Sequence, residues 1–312
     1  MAVSTQGLTR DYGHGAGLFD VDLSVPVGAV YGLVGPNGAG KTTLLSILTG
    51  LRRADRGRVD LAVEPRRVVM CPDVPEFEPW LTPYEVVDLA RVMTDQRRHG
   101  EADRASADRR VKRALVTAGL ADVAYRRVEG FSRGMMQRLG LAAGLVTDPD
   151  LLMLDEPTSA LDPAGRAEIL DMVAAMRGRR TVVFSSHILA DVQRVADVVG
   201  ILRGGRLLYQ GPTQTLVDEH LTPRWALRLA SPPDDVARAL AGRSWVTHVE
   251  VTGLETLRVD ARTLDEGERG LPAVLAACDA RLVSCEPLAA DLESAFLALT
   301  GSEPTTDDGG QR

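Results

Sequence analysis

Residues 35–42 read Gly35-Pro36-Asn37-Gly38-Ala39-Gly40-Lys41-Thr42 and fit the phosphate-loop pattern G-x-x-x-x-G-K-[ST]. The apolar run at residues 29–34 predicts a buried strand before this stretch, and residues 41–51 predict a helix after it. Glycine tolerates backbone angles that side chains forbid, so the loop can point its N–H groups at phosphate oxygens. The amino end of the helix adds partial positive charge. The stretch therefore predicts a nucleotide site, with Lys41 at the β- and γ-phosphates and Thr42 as a ligand of Mg²⁺.

A second apolar strand, residues 151–154, ends in the carboxylate pair Asp155-Glu156. At the tip of a strand beside the phosphate loop, Asp155 can hold Mg²⁺ through water. Glu156 is then suited to orient or deprotonate an attacking water. A dinucleotide site fits the first stretch less well, because Gly40 is followed by Lys-Thr-Thr rather than by x-x-Gly.

Composition narrows the class of protein. The 312 residues carry a formal net charge of −7 with a pI near 5.4, which gives no electrostatic footprint for nucleic acid, so no nucleic-acid partner is expected. Three cysteines and no signal-peptide pattern lead us to expect a reducing compartment without a disulfide framework. No apolar run approaches the ~18 residues of a membrane span, so we expect any membrane role to come through a partner.

The first part of the chain predicts an α/β domain over residues 1–215. Strands alternate with helices there, which favours a mixed, mostly parallel sheet, with a helical subdomain at about residues 73–146. Residues 94–110 are charged and lack an apolar stripe. We therefore expect a solvated loop there that leads into a helix at about residues 111–118.

The second part of the chain has a different character. Residues 216–301 follow the order βαββαβ, which predicts a small α+β domain of the ferredoxin-like type, with a last helix over residues 291–299. Two roles remain open for this domain: dimerisation or regulation, and passive stabilisation. The polar tail, residues 302–312, is expected to be disordered.

Two further stretches make the pattern specific, and they read Phe131-Ser132-Arg133-Gly134-Met135-Met136-Gln137-Arg138-Leu139 and Asp155-Glu156-Pro157-Thr158-Ser159-Ala160-Leu161-Asp162-Pro163. With the phosphate loop, they resemble the signature sequence, Walker B strand and D-loop of ABC transporter ATP-binding subunits, over about residues 3–215. The resemblance implies the P-loop NTPase fold of the ABC type and hydrolysis of ATP to ADP and phosphate. The form Ser-Arg-Gly-Met resembles the daunorubicin-resistance-type, ABC-2 exporter ATPases, in which the membrane permease is a separate chain.

The resemblance also implies roles for individual residues. Tyr12 matches the aromatic residue that stacks on adenine, and stacking suits a tyrosine ring. His187 matches the switch histidine that senses the γ-phosphate, so Lys41, Glu156 and His187 become the expected catalytic residues. The residues expected to hold ATP directly are Gly35, Asn37, Gly38, Gly40, Lys41, Thr42 and Thr43.

Three other positions imply a dimer. Ser132 and Gly134 would bind the γ-phosphate of the ATP held by the other subunit, and Asp162 would cross the interface near the opposite site. A homodimer, or a pair with a paralogous ATPase subunit, would then enclose two ATP molecules and drive a separate transmembrane permease. The expected location is the cytoplasmic face of the cell membrane.

One position departs from the family pattern. Cys71-Pro72 is followed by Asp73, where the family has the glutamine of the Q-loop. An ionised Asp accepts hydrogen bonds only, yet it can bind Mg²⁺ or its waters, so Asp73 joins Thr42 and Asp155 as a candidate metal ligand. The family uses this region to couple hydrolysis to the permease, with Trp80 and Leu81 as candidate contacts; local packing of both remains the alternative.

Two other functions stay open beside that of an exporter ATPase. A soluble ABC ATPase not coupled to transport usually has two ATPase units, long coiled coils or zinc-binding insertions, and this chain shows none of these patterns. An importer ATPase usually keeps the Gly-Gly-Gln signature and the Q-loop glutamine, whereas this chain has Arg133 and Asp73.

Overall fold

A computed structural model describes residues 1–94, 101–159, 161–219 and 223–288, and the single positions 292, 296 and 299. The chain divides into two compact units, Met1–Thr213 and Gln214–Arg312.

The first unit has its strands, in chain order, at the following positions: β1 (Val3–Gly13), β2 (Ala16–Val21), β3 (Ser24–Val25), β4 (Val30–Val34), β5 (Arg56–Leu61), β6 (Val68–Cys71), β7 (Leu151–Leu154), β8 (Thr181–Ser186), β9 (Val198–Arg203) and β10 (Arg206–Pro212). Its helices are α1 (Lys41–Leu48), α2 (Pro83–Thr94), α3 (Glu101–Thr117), α4 (Arg133–Leu145), α5 (Pro163–Ala174) and α6 (Leu189–Val195).

A six-stranded sheet with the order β10-β9-β4-β8-β7-β6 forms the centre of this unit. All neighbouring strands are parallel except β10, which pairs antiparallel with β9. Every residue of β4, β7 and β8 is buried, which explains their continuous apolar runs. The mixed, mostly parallel sheet is therefore confirmed, and the segments that follow β4, β7 and β8 emerge at one edge of it.

A separate antiparallel sheet is formed by β1, β2, β3 and β5. It has the order β2-β1-β3, and β5 also pairs with β1. The core between this sheet and α1 contains Leu8, Leu18, Leu44 and Leu45, all fully buried. The sheet thus positions the end of β1, which carries Tyr12, close to the start of α1.

The helices α2, α3 and α4 form a second core around Val87, Leu115 and Leu139. Here the expected solvated loop at residues 94–110 is wrong over residues 101–110, because α3 already begins at Glu101; residues 95–100 lie outside the described part. The first turns of α3 are charged, and from Arg104 onward the first fully buried side chain is that of Val111, so the sequence shows no apolar stripe at the beginning of the helix.

The second unit contains α7 (Thr213–Glu219), which begins at its boundary, β11 (Arg224–Leu229), α8 (Asp234–Ala241), β12 (Val246–Val251), β13 (Thr256–Ala261), α9 (Leu264–Ala277) and β14 (Leu282–Leu288). Its sheet has the order β12-β13-β11-β14 and every pair is antiparallel. This is the strand order of a ferredoxin-like βαββαβ unit. Trp225, Leu240 and Leu271 contribute to the core that joins the sheet to α8 and α9.

Helix α9 begins at Leu264, whereas its buried leucine and valine side chains begin only at Leu271. Thr263 caps it by accepting a hydrogen bond from the backbone N–H of Glu266, and Gly267 lies directly against the indole of Trp225, where a Cβ would clash. The expected helix at residues 291–299 and the tail at residues 302–312 fall almost entirely outside the described residues. Within the described residues, no helix has the length and hydropathy needed to cross a membrane.

Candidate nucleotide-binding site

The phosphate loop connects the end of β4 to the start of α1. Gly38 and Gly40 have φ angles of 80° and 104°, in the left-handed region that side chains avoid. A Cβ on Gly40 would also lie 2.7 Å from Cδ2 of Leu18, so this position requires glycine on two counts. Since α1 begins at Lys41, the N–H groups of its first turn have no partner within the helix and are available to an anion.

Lys41 is the buried cation of this loop, with only 6% of its surface exposed. Its Nζ donates to the carbonyl oxygens of Gly35 at 2.6 Å and Pro36 at 3.3 Å. The same Nζ lies 3.0 Å from Oε1 of Glu156. The ammonium group therefore joins the loop to the carboxylate that follows β7, and nucleotide phosphates would compete with that carboxylate for it.

Ser185 on β8 organises the acidic pair. Its Oγ donates to Oδ1 of Asp155 at 2.6 Å and accepts from the backbone N–H of Glu156 at 2.8 Å. Glu156 has a φ of 46°, which is uncommon for a residue other than glycine, so this hydrogen bond stabilises an otherwise unfavourable backbone. Oε2 of Glu156 lies 2.8 Å from Nδ1 of His187. Glu156 thus stands between Lys41 and His187.

Tyr12 lies at the rim of the site and is 44% exposed. The guanidinium of Arg10 lies 5.1 Å from its ring centroid, and Nη1 of Arg52 donates to its hydroxyl at 3.2 Å. Partial desolvation raises the pKa of Tyr12, but hydrogen bonds with Thr43 and Arg10 and the positive charge of Arg52 outweigh it, so the net pKa is lowered. The exposed ring therefore lies beside Thr43 at the rim of the cleft.

Tyr12, the phosphate loop and the acidic pair line one open cleft of about 350 Å³. This volume is within the range of roughly 300–1,000 Å³ that is typical of small-molecule sites. The lining residues are Tyr12, Ala16, Gly17, Pro36, Asn37, Gly38, Ala39, Gly40, Lys41, Thr42, Thr43, Asp73, Asp155 and Glu156. Most of the residues that the sequence assigns to ATP therefore share one surface, and His187 joins them through Glu156.

Thr42, Asp73 and Asp155 bring oxygen groups to this cleft, and oxygen is the donor type that Mg²⁺ prefers. Among the described residues, no group of three or more His, Cys, Asp and Glu side chains is arranged to hold a metal by itself. The residues present fit Mg²⁺ only if nucleotide phosphates complete its coordination, as they commonly do. Asp73 already has other contacts, because its Oδ1 accepts from Oγ of Ser159 and lies 3.7 Å from Nη2 of Arg133.

Two of the residues expected at the dimer interface, Ser132 and Asp162, cap helices. Ser132 caps α4 by accepting from the backbone N–H of Met135 at 3.3 Å. Asp162 likewise caps α5 by accepting from Gly165 at 3.0 Å. Among the described residues that line the cleft, Ser132, Gly134 and Asp162 do not occur. In the single chain, these three residues therefore do not line the cleft that contains the phosphate loop.

A phosphate loop between a parallel strand and a helix, with an acidic pair at the end of a nearby strand of the same sheet, defines a P-loop nucleoside triphosphatase. The ABC transporter family model matches residues 18–159. The chain belongs to the ABC transporter family, and it is an ATP-binding ATPase of that family.

Two relatives align along nearly the whole chain. The Nod factor export ATP-binding protein I of Bradyrhizobium diazoefficiens is 33% identical over 313 residues, which cover 97% of this chain and 97% of the relative. The daunorubicin resistance ATP-binding protein DrrA3 of Streptomyces coeruleorubidus is 32% identical over 321 residues, covering 97% and 96%. Among solved structures, cbiO1 from Clostridium perfringens, part of the ABC transporter complex cbiONQ, is similar with a TM-score of 0.62 and 25% identity, covering 70% of this chain and 91% of cbiO1.

Proposed function

We propose that this chain is the ATP-hydrolysing subunit of an exporter and that it acts as a homodimer on a separate membrane permease. One observation carries the dimer: the cleft contains the phosphate loop and Glu156, while Ser132 and Gly134 lie off it in the same chain. A head-to-tail pair would supply each cleft with the signature residues of the other copy, and two ATP molecules would lie between the subunits. ATP would favour the closed pair and hydrolysis would release it.

The proposed roles follow from the contacts of each residue. Lys41 would leave Glu156 and bind the β- and γ-phosphates, since phosphate oxygens carry more negative charge. Glu156 would then accept a proton from the attacking water, and His187, at 2.8 Å from it, would contact the γ-phosphate. Thr42 and Asp155 would hold Mg²⁺, which would neutralise charge on the phosphates, and Asp73 is a further candidate ligand.

The remaining assignments concern the rest of the nucleotide and the interface. Tyr12 would stack on adenine, while the backbone from Gly35 to Thr43 would surround the phosphates. Asp162 would approach the cleft of the other copy. The export direction is supported by the two relatives described above, whose names refer to Nod factor export and daunorubicin resistance. Through its permease, the pair would be held at the cytoplasmic face of the membrane.

The test compares wild type with Glu156→Gln, which keeps the size of the side chain but removes its ability to accept a proton. We expect ATP turnover to fall by at least about a hundredfold, because general-base catalysis contributes ~10²–10⁴-fold. Size-exclusion chromatography with light scattering should show an ATP-dependent dimer that accumulates in the variant. The control is Glu168→Gln, which changes an exposed carboxylate paired with Arg138 and should leave turnover and dimerisation unchanged. Wild-type turnover in Glu156→Gln would contradict the assignment.

A further inference from the structure

A buried carboxylate outside the cleft joins the two sides of the hydrolytic site. Asp191 on α6 is 1% exposed, and it accepts a hydrogen bond from Oγ1 of Thr158 at 2.6 Å. Its other oxygen accepts from Nε of Arg166 on α5 at 2.5 Å. Both carboxylate oxygens are therefore engaged, and Arg166 compensates the buried charge, as a buried ion requires.

Thr158 connects the buried cluster of Asp191, Arg166 and Thr158 to Glu156. The two residues are separated only by Pro157, whose ring fixes its own backbone φ angle. Just beyond, the N–H of Ser159 donates to the carbonyl oxygen of Glu156 at 3.0 Å and closes a turn. The side chain of Thr158, itself 1% exposed, thus anchors a turn that begins at Glu156.

Asp191 connects the same cluster to His187. The segment from Ser186 to Asp191 is a tight turn in which the N–H of Ile188 donates to Oγ of Ser186 at 2.9 Å. The N–H of Asp191 then donates to the carbonyl oxygen of Ile188 at 3.2 Å. Movement of Asp191 would therefore be transmitted to the imidazole of His187 through the backbone of the three residues between them.

We propose that Asp191 is a positioning residue for ATP hydrolysis. Its hydrogen bond with Thr158 keeps the carboxylate of Glu156 and the imidazole of His187 in contact. This inference rests on the proposed role of Glu156. The bond ties the turn after β7 to the turn after β8, which are the two segments that carry the 2.8 Å contact between Glu156 and His187. A displacement of about 1 Å at a reacting group can reduce a rate by ~10²-fold. Loss of the hydrogen bond between Thr158 and Asp191 would therefore slow the chemical step.

The helices themselves have another connection. Nη2 of Arg194 on α6 donates to Oδ1 of Asp171 on α5 at 2.7 Å, and both side chains are exposed. This pair joins α5 to α6 without contacting either turn. It therefore provides a control for simple tethering of the two helices.

The first test removes the hydroxyl of Thr158 with Thr158→Val. We expect kcat for ATP to fall about tenfold while KM stays within about twofold, because the cleft is intact and only the Glu156–His187 geometry is loosened. Thr158→Ser restores the donor and should return kcat to within about twofold of wild type. The matched control is Thr181→Val, which removes another buried threonine hydroxyl, the acceptor of the N–H of Gly28, at the opposite end of β8. A kcat in Thr158→Val equal to that of Thr181→Val overturns the proposal, as does an equal fall in Thr158→Ser.

A second pair of variants keeps the proposal testable if Thr158→Val does not fold. Arg166→Gln removes the charge partner of Asp191 and should lower kcat about threefold or more, whereas Arg194→Gln should leave it unchanged. Equal kcat values for these two variants overturn the proposal. Glu156→Gln distinguishes the base role of Glu156 from the positioning role of Asp191. If Glu156→Gln retains turnover, the base role is wrong. If it loses turnover and Thr158→Val does not, only the positioning role is wrong.

Discussion

Lys41 and Glu156 form an ion pair inside the cleft, with Nζ of Lys41 3.0 Å from Oε1 of Glu156 and both side chains largely shielded from solvent. The pair joins the residue that is expected to bind phosphate to the residue that is expected to activate water. In the proposed mechanism, phosphates would draw Lys41 away from Glu156 and leave its carboxylate free to contact the attacking water. Binding of the substrate and release of the base would thereby be linked through one contact.

The chain provides a matched pair for testing Lys41, because it contains only one other lysine. Lys41→Gln should lower ATP turnover by roughly a hundredfold or more, since it removes a preorganised charge from the transferring phosphoryl group. Lys112→Gln, at an exposed lysine paired with Asp108, should leave turnover unchanged. Phosphate release under saturating Mg²⁺-ATP measures both, and equal turnover in the two variants would exclude Lys41 from the site.

Tyr12 is predicted to contribute through its ring rather than its hydroxyl. Stacking of a base on an aromatic side chain contributes about 1–3 kcal/mol, so Tyr12→Ala should weaken ATP binding roughly 5- to 150-fold. Tyr12→Phe keeps the ring but loses the contact with Arg52, and it should bind within about twofold of wild type. Fluorescent-nucleotide titration distinguishes the two, and equal loss in both variants would mean that the hydroxyl matters instead.

Asp73 has two possible roles that one experiment separates. If it is a ligand of Mg²⁺, Asp73→Asn should raise the Mg²⁺ concentration for half-maximal turnover several-fold, because an amide oxygen is a weaker ligand than a carboxylate. If it only fixes Ser159, to which it is hydrogen bonded, Ser159→Ala should reproduce its effect. We expect the Mg²⁺ requirement to rise in Asp73→Asn alone. The same shift in Ser159→Ala, or no shift in either variant, would remove Asp73 from the metal site.

Glu85 should make the stability of the helical part depend on pH. The backbone N–H and the hydroxyl of Thr82 donate to its carboxylate, so the pKa of Glu85 is lowered below its usual value. A lowered folded-state pKa stabilises the fold above the unfolded-state pKa of about 4.3, and this contribution is lost as pH falls through the folded-state pKa.

The expected result is a difference in urea midpoint between wild type and Glu85→Gln at pH 7 that closes progressively below about pH 4. Gln keeps an acceptor for the N–H of Thr82 but carries no charge, so the variant isolates the ionised form. A difference that stays constant, or grows on acidification, would show that the carboxylate charge does not stabilise this helix start.

Much of the site could be predicted because short stretches of sequence determine its local structure. The phosphate loop needs glycines at Gly38 and Gly40 for their positive φ angles, and a strand whose every residue is buried leaves an unmistakable apolar run before Asp155. Ser132 and Asp162 were identified because residues 131–139 and 155–163 resemble the signature sequence and D-loop of the family, and in the structure both residues cap the helices that follow them.

The contacts that could not be predicted from the sequence join segments that are far apart in the chain. Ser185 contacts Asp155 across neighbouring strands, and its only sequence signal is a hydroxyl at the end of an apolar strand. The bond between Thr158 and Asp191 spans 33 positions and leaves no local pattern. Helix α3 was missed at its start because its first turns are charged, and from Arg104 onward the first fully buried side chain is that of Val111.

The most direct test of the account mixes two inactive chains. One carries Lys41→Gln, which disables its phosphate loop, and the other carries Ser132→Asp, which keeps the N-cap of α4 but sets a negative charge against phosphate. If each cleft uses the signature of the other copy, a mixed dimer has one cleft with both defects and one with neither. We predict that each variant alone is inactive and that mixing restores turnover, to at most about half the wild-type value per dimer when one site works independently. Absence of recovery in mixed dimers verified by native mass spectrometry would contradict the shared-site dimer.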